Sequence, residues 1–428
     1  MGFEVFARIS VFLYSIGGFD MSSLIYGQGF ILLMYQVYAI TFPWVVYSIQ
    51  HGTRIILLTS TVELLPYLAF SAMGGALADR IDRKRLLLYL NIACFIPLGV
   101  LFIWVSTPHW TWVIPLAGLT IGAVMATLLP TTESIFPHLV EASQLLKMNA
   151  RWEVVNYTAA LLGPILGSII WALGRFRLIL LFLAVLVAIS VIIRLLWNHP
   201  PFPLQTSARA PSITDYLSLA VRLSKHPTLR WGIFYSWITN CLMAPVSSLL
   251  IILLRIRLHL PLTEIAPWLA LANVIPWLLN QALGRLSSTS SWNDRAVIRL
   301  LGLSILVQGM GMGVVSLSVH SWEAFLGLAI NLGGVALYTT HWRLLRQRVT
   351  PKSWIGRVSG LSRALAYSGY IIGGLVGLFV LPYVGLPQLT LYCSTGVVGV
   401  ALVTLIILQG WGRTRLQPFQ DDIQWIDS

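Results

Sequence analysis

The sequence predicts an all-α integral membrane protein with twelve transmembrane helices in two pseudo-symmetric six-helix bundles. Three observations predict it. Of 428 residues, 57% are hydrophobic and 10% charged, against roughly 25% charged in an ordinary soluble domain. Mean hydropathy is +0.79, so the chain cannot cover itself with charge in water, and a disordered chain needs the opposite balance. Second, the apolar residues gather into twelve runs long enough to cross ~30 Å of hydrocarbon. Third, one Pro-rich connection divides the runs six and six, and both sets carry similar landmarks.

The runs fall at about 27–49, 55–77, 84–106, 111–136, 152–174, 178–198, 229–252, 265–286, 297–319, 322–342, 358–381 and 388–410. Many contain Gly and Pro, which spanning helices tolerate better than soluble ones. Residues 1–26 precede them as an N-terminal extension, moderately apolar and too short to span. Arg8 is its single early cation and no convincing cleavage site follows, so a signal peptide is not expected. Met21 offers a second place for the chain to start. Residues 27–198 form the first bundle. The connection 199–228 opens His199-Pro-Pro-Phe-Pro and continues with Ser207, Arg209, Pro211 and Ser212, a linker composition. Residues 229–410 form the second bundle, and 411–428 a tail.

Loop charge sets the orientation. One set of connections holds Arg80, Arg83, Lys84 and Arg85, then Lys147 and Arg151, and further Arg and Lys residues from Arg209 to Arg415. The opposite set holds Arg54, Arg175, Arg177, Arg255 and Arg257. The bias is roughly four to one, which places both termini in the cytoplasm. The same rule absorbs the net charge of +13. No nucleic-acid partner is expected, because the cations are spread between spans rather than gathered in one aromatic-laced patch. Cys94, Cys241 and Cys393 sit in apolar runs without a CxxC pair and read as buried free thiols.

The sharpest motif is Gly74-Gly75-Ala-Leu-Ala-Asp79-Arg80-Ile-Asp82-Arg83-Lys84-Arg85, between spans 2 and 3. Its glycines let a helix end approach a neighbour, and Asp79 can accept from cations or a helix N-terminus. The loop resembles the signature of the major facilitator superfamily, G-x-L-A-D-R-x-G-R-(K/R), and the resemblance covers about residues 27–410. It implies the two-bundle fold, a monomer, and a cytoplasmic latch formed by Gly75, Asp79, Arg80, Arg83 and Lys84. The alternative is a solvated charge run. Asp82 stands where the pattern usually has glycine, which resembles the enterobactin-exporter-like and macrolide-efflux-like branch. The stretch Leu129 to Asn149 and the stretch Pro351-Lys-Ser-Trp-Ile-Gly356-Arg357-Val358 resemble that branch too. The branch is bacterial, which implies the inner membrane. It often carries an Arg after the span 4 proline, where this chain reads Pro130-Thr131-Thr132-Glu133. A cationic partner for Asp79 would then be Arg363 or Arg151. In span 5, Gly163-Pro164-Ile-Leu-Gly167 resembles the antiporter signature and implies export; ordinary small-residue packing is the alternative.

Ionisable residues inside spans are functional candidates by default. Glu63 lies eight residues into span 2, roughly 12 Å below its outer end at 1.5 Å per residue. Tyr67 and Ser71 follow at helical spacing. A carboxyl group out of water can bind and release a proton, which proton coupling requires; a structural, hydrogen-bonded carboxylate is the alternative. Glu133 and Glu153, nearer the cytoplasmic ends of spans 4 and 5, are gating candidates, or else pair with Lys147, Arg151 or Arg346. Tyr35, Gln36, Asn156, Trp237, Asn240, Asn273, Trp277, Asn280, Asn331 and Tyr338 are candidates to line a central cavity. Aromatic anchoring at the membrane interface competes with that reading.

No Walker A loop, Gly-x-Ser-x-Gly or HExxH occurs, and the eight histidines are scattered. Neither an enzyme nor a bound cofactor or metal is expected; a proton gradient is the expected energy source. The function expected is export of an amphipathic small molecule (siderophore, macrolide or other drug) by proton antiport and alternating access. An uptake permease, a lysophospholipid flippase and a non-transporting scaffold or sensor are the alternatives.

Overall fold

The computed structural model describes residues 19–50, 53–104, 110–139, 145–174, 176–197, 213–286, 294–349 and 355–410. Among the described residues there are fifteen helices and no strand. The first half comprises α1 (Phe19–Gln50), α2 (Thr53–Arg80), α3 (Arg83–Ala93), α4 (Phe95–Trp104), α5 (Trp110–Leu139), α6 (Leu145–Ala172) and α7 (Phe176–Leu196). A short helix, α8 (Ile213–Lys225), precedes the second half. That half comprises α9 (Pro227–Leu258), α10 (Leu262–Ala272), α11 (Val274–Leu286), α12 (Asp294–Leu317), α13 (Ser321–Val349), α14 (Ile355–Val384) and α15 (Leu386–Gly410).

Ten stretches are long and apolar enough to cross a membrane. Two of them are bent rods, Arg83–Trp104 through α3 and α4, and Leu262–Ala282 through α10 and α11. Each bend has a proline three residues on: Pro97 after Cys94, and Pro276 after Asn273. Proline lacks the amide donor and crowds the preceding turn, so the helix ladder breaks there. In α5 the apolar part is shorter, Val113–Leu129, and α13 is long but carries His341, Arg343, Arg346 and Arg348 in its last turns. Two boundaries differ from the sequence reading. The first span starts at Phe19, inside the expected extension, and α8 occupies part of the expected linker. Leu219 and Leu223 anchor α8 to a small core with Leu229, Trp342 and Leu345.

The repeat is visible in the packing. In the first half α1 packs on α6, and in the second α9 packs on α14, which pairs spans 1 with 5 and 7 with 11. The turns that follow α6 and α14 use a left-handed glycine in both halves, Gly174 at φ 77° and Gly385 at φ 74°, a conformation glycine adopts without steric cost. Between the halves, α2 packs on α14 and α6 on α10. Large apolar side chains such as Ile103, Leu196 and Phe379 point outward, the arrangement expected where the solvent is lipid.

A candidate cavity between the two halves

A cavity of about 420 Å³ lies where the halves meet. The first half lines it with Tyr35, Gln36, Tyr38 and Phe42 from α1, with Thr59, Ser60, Glu63 and Tyr67 from α2, and with Asn156 from α6. The second half contributes Ser247, Ser248 and Ile251 from α9, and Tyr367 and Tyr370 from α14. Among the described residues, Glu63 is the one carboxylate in this lining, and no Lys, Arg or His lines it. Glu63 is 8% exposed, and the Tyr35 hydroxyl donates to its Oε1 at 2.7 Å. A buried carboxylate without such a donor is costly to keep charged. Tyr67 meets Tyr367 across the halves with ring centroids 4.4 Å apart, and the Tyr370 hydroxyl sits against Ser247 and Ser248.

Glycine on a neighbouring helix seats the carboxylate. A Cβ on Gly122 of α5 would overlap the backbone carbonyl of Glu63, and one on Gly118 would lie 3.0 Å from Thr59 Cγ2. These glycines let α5 approach the backbone of α2 at the level of the cavity. Pro66, one turn after Val62, cannot donate to that residue's carbonyl, which loosens α2 beside Glu63.

Of the cavity candidates read from the sequence, Tyr35, Gln36 and Asn156 line this cavity, as does Glu63. The other seven do not, because most are engaged elsewhere. Asn240 donates to the Ala366 carbonyl at 3.1 Å and Asn331 to that of Gln308 at 2.9 Å. Asn273 and Asn280 donate to carbonyls one turn back in their own rod, Leu269 and Pro276. Tyr338 shares a hydrogen bond with Ser236 at 2.5 Å, Trp237 stacks with Phe234, and Trp277 is half-buried outside the lining. An amide inside a span takes the carbonyl within reach unless something holds it off. Sequence reading missed Ser247, Ser248, Tyr367, Tyr370 and Gly122. One signal was present: Glu63-Leu-Leu-Pro66-Tyr67 in span 2 is echoed by Asn273-Val-Ile-Pro276-Trp277 in span 8. The echo marks the repeated segment in which Glu63 is the charged member.

Glu153 pairs with Arg343, Oε1 to Nη2 at 3.0 Å; the side chains of its expected partners Lys147 and Arg151 lie outside the described residues. The Glu153–Arg343 bond joins α6 to α13 and so ties the halves together at the end of the bundle carrying the basic loops. One turn deeper, Tyr157 lies close to Asn280, which accepts from Thr340 at 2.9 Å. At the opposite end Arg255 of α9 lies over the Trp44 ring of α1, 5.7 Å from its centroid. Arg363 is on α14 one turn before Tyr367, where its charge acts on the Tyr67 hydroxyl. The Gly163–Gly167 segment packs α6 on α1: a Cβ on Gly163 would come 2.5 Å from that of Gln36, and one on Gly167 2.8 Å from Thr41 Cγ2. Pro164 lies within α6. In the signature loop Asp82 caps α3, accepting from Arg85 N at 3.3 Å. That gives the residue standing in the usual glycine position a local role. Arg83 is buried and Lys84 half-buried. The surroundings of Gly75 and the side chains of Asp79, Arg80, Glu133 and Arg151 lie outside the described residues.

Two packed halves of long apolar helices around a cavity that holds a buried carboxylate are the plan of a multi-pass membrane transporter. Residues 24–374 match the family described as Major Facilitator Superfamily, and the chain belongs to it. The MFS-type transporter YfiS of Bacillus subtilis (strain 168) is 23% identical over 355 residues, covering 80% of this chain and 82% of that protein. Macrolide efflux protein A of Enterococcus faecalis is 26% identical over 148 residues, a third of this chain (33%) and 45% of that protein. Among solved structures, the human organic anion transporter MFSD10 aligns with a TM-score of 0.68 at 16% identity, over 91% of this chain and 99% of that one. At that identity the likeness speaks for the fold alone.

Proposed function

We propose that the chain is a secondary exporter that moves an amphipathic small molecule out of the cell by proton antiport. The observation that carries this reading is Glu63: a buried carboxyl, held by Tyr35, in a cavity shared by both halves. Proton and substrate then occupy the same place in turn. With Glu63 ionised the cavity takes substrate; with Glu63 protonated it lets substrate go. The halves rock about the α2–α14 and α6–α10 contacts, so the cavity opens to one side at a time. The Glu153–Arg343 bond holds the basic end shut and must break when that end opens. The macrolide-efflux relative and the Gly163-Pro164-x-x-Gly167 segment support export, and siderophores, macrolides and other drugs are the substrate panel. The excess of Arg and Lys in one set of connections supports a bacterial inner membrane protein with both termini cytoplasmic. The chain works as a monomer, with the proton gradient in place of a cofactor.

The test uses everted membrane vesicles energised with a proton gradient, to which the panel is added one compound at a time. Substrate-dependent proton release with native protein, lost in Glu63→Gln, is expected. Labelled substrate crossing with no proton movement would instead favour a uniporting permease or a flippase, and no crossing of any compound would favour a scaffold.

A further inference from the structure

The cavity's chemistry restricts what it can hold. Among the described residues its wall carries one carboxyl, Glu63, and no Lys, Arg or His. The titratable groups near Glu63 are the hydroxyls of Tyr35, Tyr38, Tyr67 and Tyr370, with Tyr367 beside these tyrosines, and Arg363 lies near Tyr67 on the basic-end side. A negatively charged ligand would meet a carboxylate with no lining cation to offset it. A positively charged one would meet a carboxylate set among tyrosines, a residue type that also attracts an ammonium group.

The two halves also offer different things. The first half supplies the carboxylate with Tyr35, whereas the second supplies a neutral hydroxyl cluster, Ser247, Ser248 and Tyr370. Between them stand the Tyr67 and Tyr367 rings. The volume, about 420 Å³, is near the lower end of the ~300–1,000 Å³ range of ligand pockets. In span 8, Asn273 stands where span 2 has Glu63 and donates to its own helix.

We propose that the substrate is a small aromatic monocation, an organic ammonium compound that also bears a neutral hydrogen-bonding group. The ammonium seats on Glu63 among the tyrosines, and the neutral group seats on Ser247 and Ser248. One ligand thereby touches both halves. Its arrival displaces one proton from the Glu63 carboxyl to solvent, so one positive charge enters the cavity as one leaves. Within the panel, cationic drugs are therefore expected to bind more tightly than anionic catecholate siderophores. The inference rests on Glu63 as the coupling carboxyl.

The experiment is calorimetric titration of the purified full chain in detergent with three probes sharing a phenyl carbinol: the quaternary N-methyl salt of N-methylephedrine (called N-methylephedrinium below), a permanent cation; neutral N-acetylephedrine; and mandelate, an anion. Titrations in buffers of different ionisation enthalpy count the protons released. Native protein is expected to prefer the cation by about tenfold or more over the neutral probe, the scale of a desolvated cation–π and charge contact. Binding of the permanent cation releases a proton from native protein and none from Glu63→Gln, and the preference collapses in that variant. Ser247→Ala with Ser248→Ala weakens N-methylephedrinium but leaves its deoxy counterpart unchanged. Mandelate binding as tightly as the cation would overturn the proposal. So would a cation preference that survives Glu63→Gln, or no binding of N-methylephedrinium to protein that melts cooperatively. Cation preference without proton release would keep the substrate class and discard proton coupling, which separates the two readings.

Discussion

Gly122→Ala tests how the site is built. The added Cβ would overlap the Glu63 carbonyl oxygen. The obstructing atom is helix backbone, which cannot swing aside as a side chain can, so α5 and α2 must part. Overpacking of this kind costs about 1–3 kcal/mol, partly offset by the ~1 kcal/mol that alanine gains over glycine within a helix. Gly399 on α15 has nothing within 4 Å of an added Cβ, so Gly399→Ala keeps the helix gain alone. The two variants should therefore move in opposite directions, separated by about 1–3 kcal/mol. Thermal unfolding in detergent reads the difference, and N-methylephedrinium titration reads its effect on the cavity. Gly122→Ala should melt below native protein and bind the cation more weakly, and Gly399→Ala should melt at or above native and bind it normally. If Gly122→Ala melts and binds as Gly399→Ala does, α5 does not seat Glu63 and the local reasoning fails.

Further expectations follow from individual contacts. Tyr35→Phe removes the donor to Glu63, a hydrogen bond to a chargeable group worth about 1.5–3 kcal/mol. Transport by that variant should fall about tenfold or more, whereas Tyr38→Phe, with no hydrogen bond to Glu63, should fall much less. The Glu153–Arg343 pair is partly exposed, and such pairs contribute about 0.2–1 kcal/mol. Glu153→Gln and Arg343→Gln should each shift a spin-label distance between α6 and α13 toward separation, and the double variant should shift it no further than either single one. Ser190 accepts from Asn91 at 2.8 Å and donates to the Gly27 carbonyl at 2.6 Å in the first half's interior. Ser190→Ala strands both groups and should destabilise by about 1–3 kcal/mol in the same melting assay, without changing cation preference.

The sequence made the fold legible because the hydrocarbon layer leaves few choices. Backbone groups there must be bonded within helices, so apolar run length and loop charge read almost directly as topology. Bends and boundaries were less legible. The break at Cys94 depends on Pro97 acting with its neighbours, and α8 is held by Leu219 and Leu223 against a core that only tertiary structure assembles. In the site, Glu63 could be read because charge inside a span is rare. Tyr35 could be read as polar, but that it bonds Glu63 depends on helix rotation. Asn240 and Asn331 resembled cavity residues because composition does not reveal which carbonyl an amide will meet. Ser247 and Ser248 were invisible for the opposite reason: serine is ordinary in spans, and these two matter through their place opposite Glu63.

The most direct measurement of the account is gradient-driven accumulation of labelled N-methylephedrinium in proteoliposomes of native protein and Glu63→Gln, with protein-free vesicles as background. With the vesicle interior acidic, the account predicts that native protein accumulates the cation against its own gradient as protons leave, and that the variant accumulates none above background. Accumulation by Glu63→Gln at the native rate would show that proton coupling lies elsewhere and would contradict it.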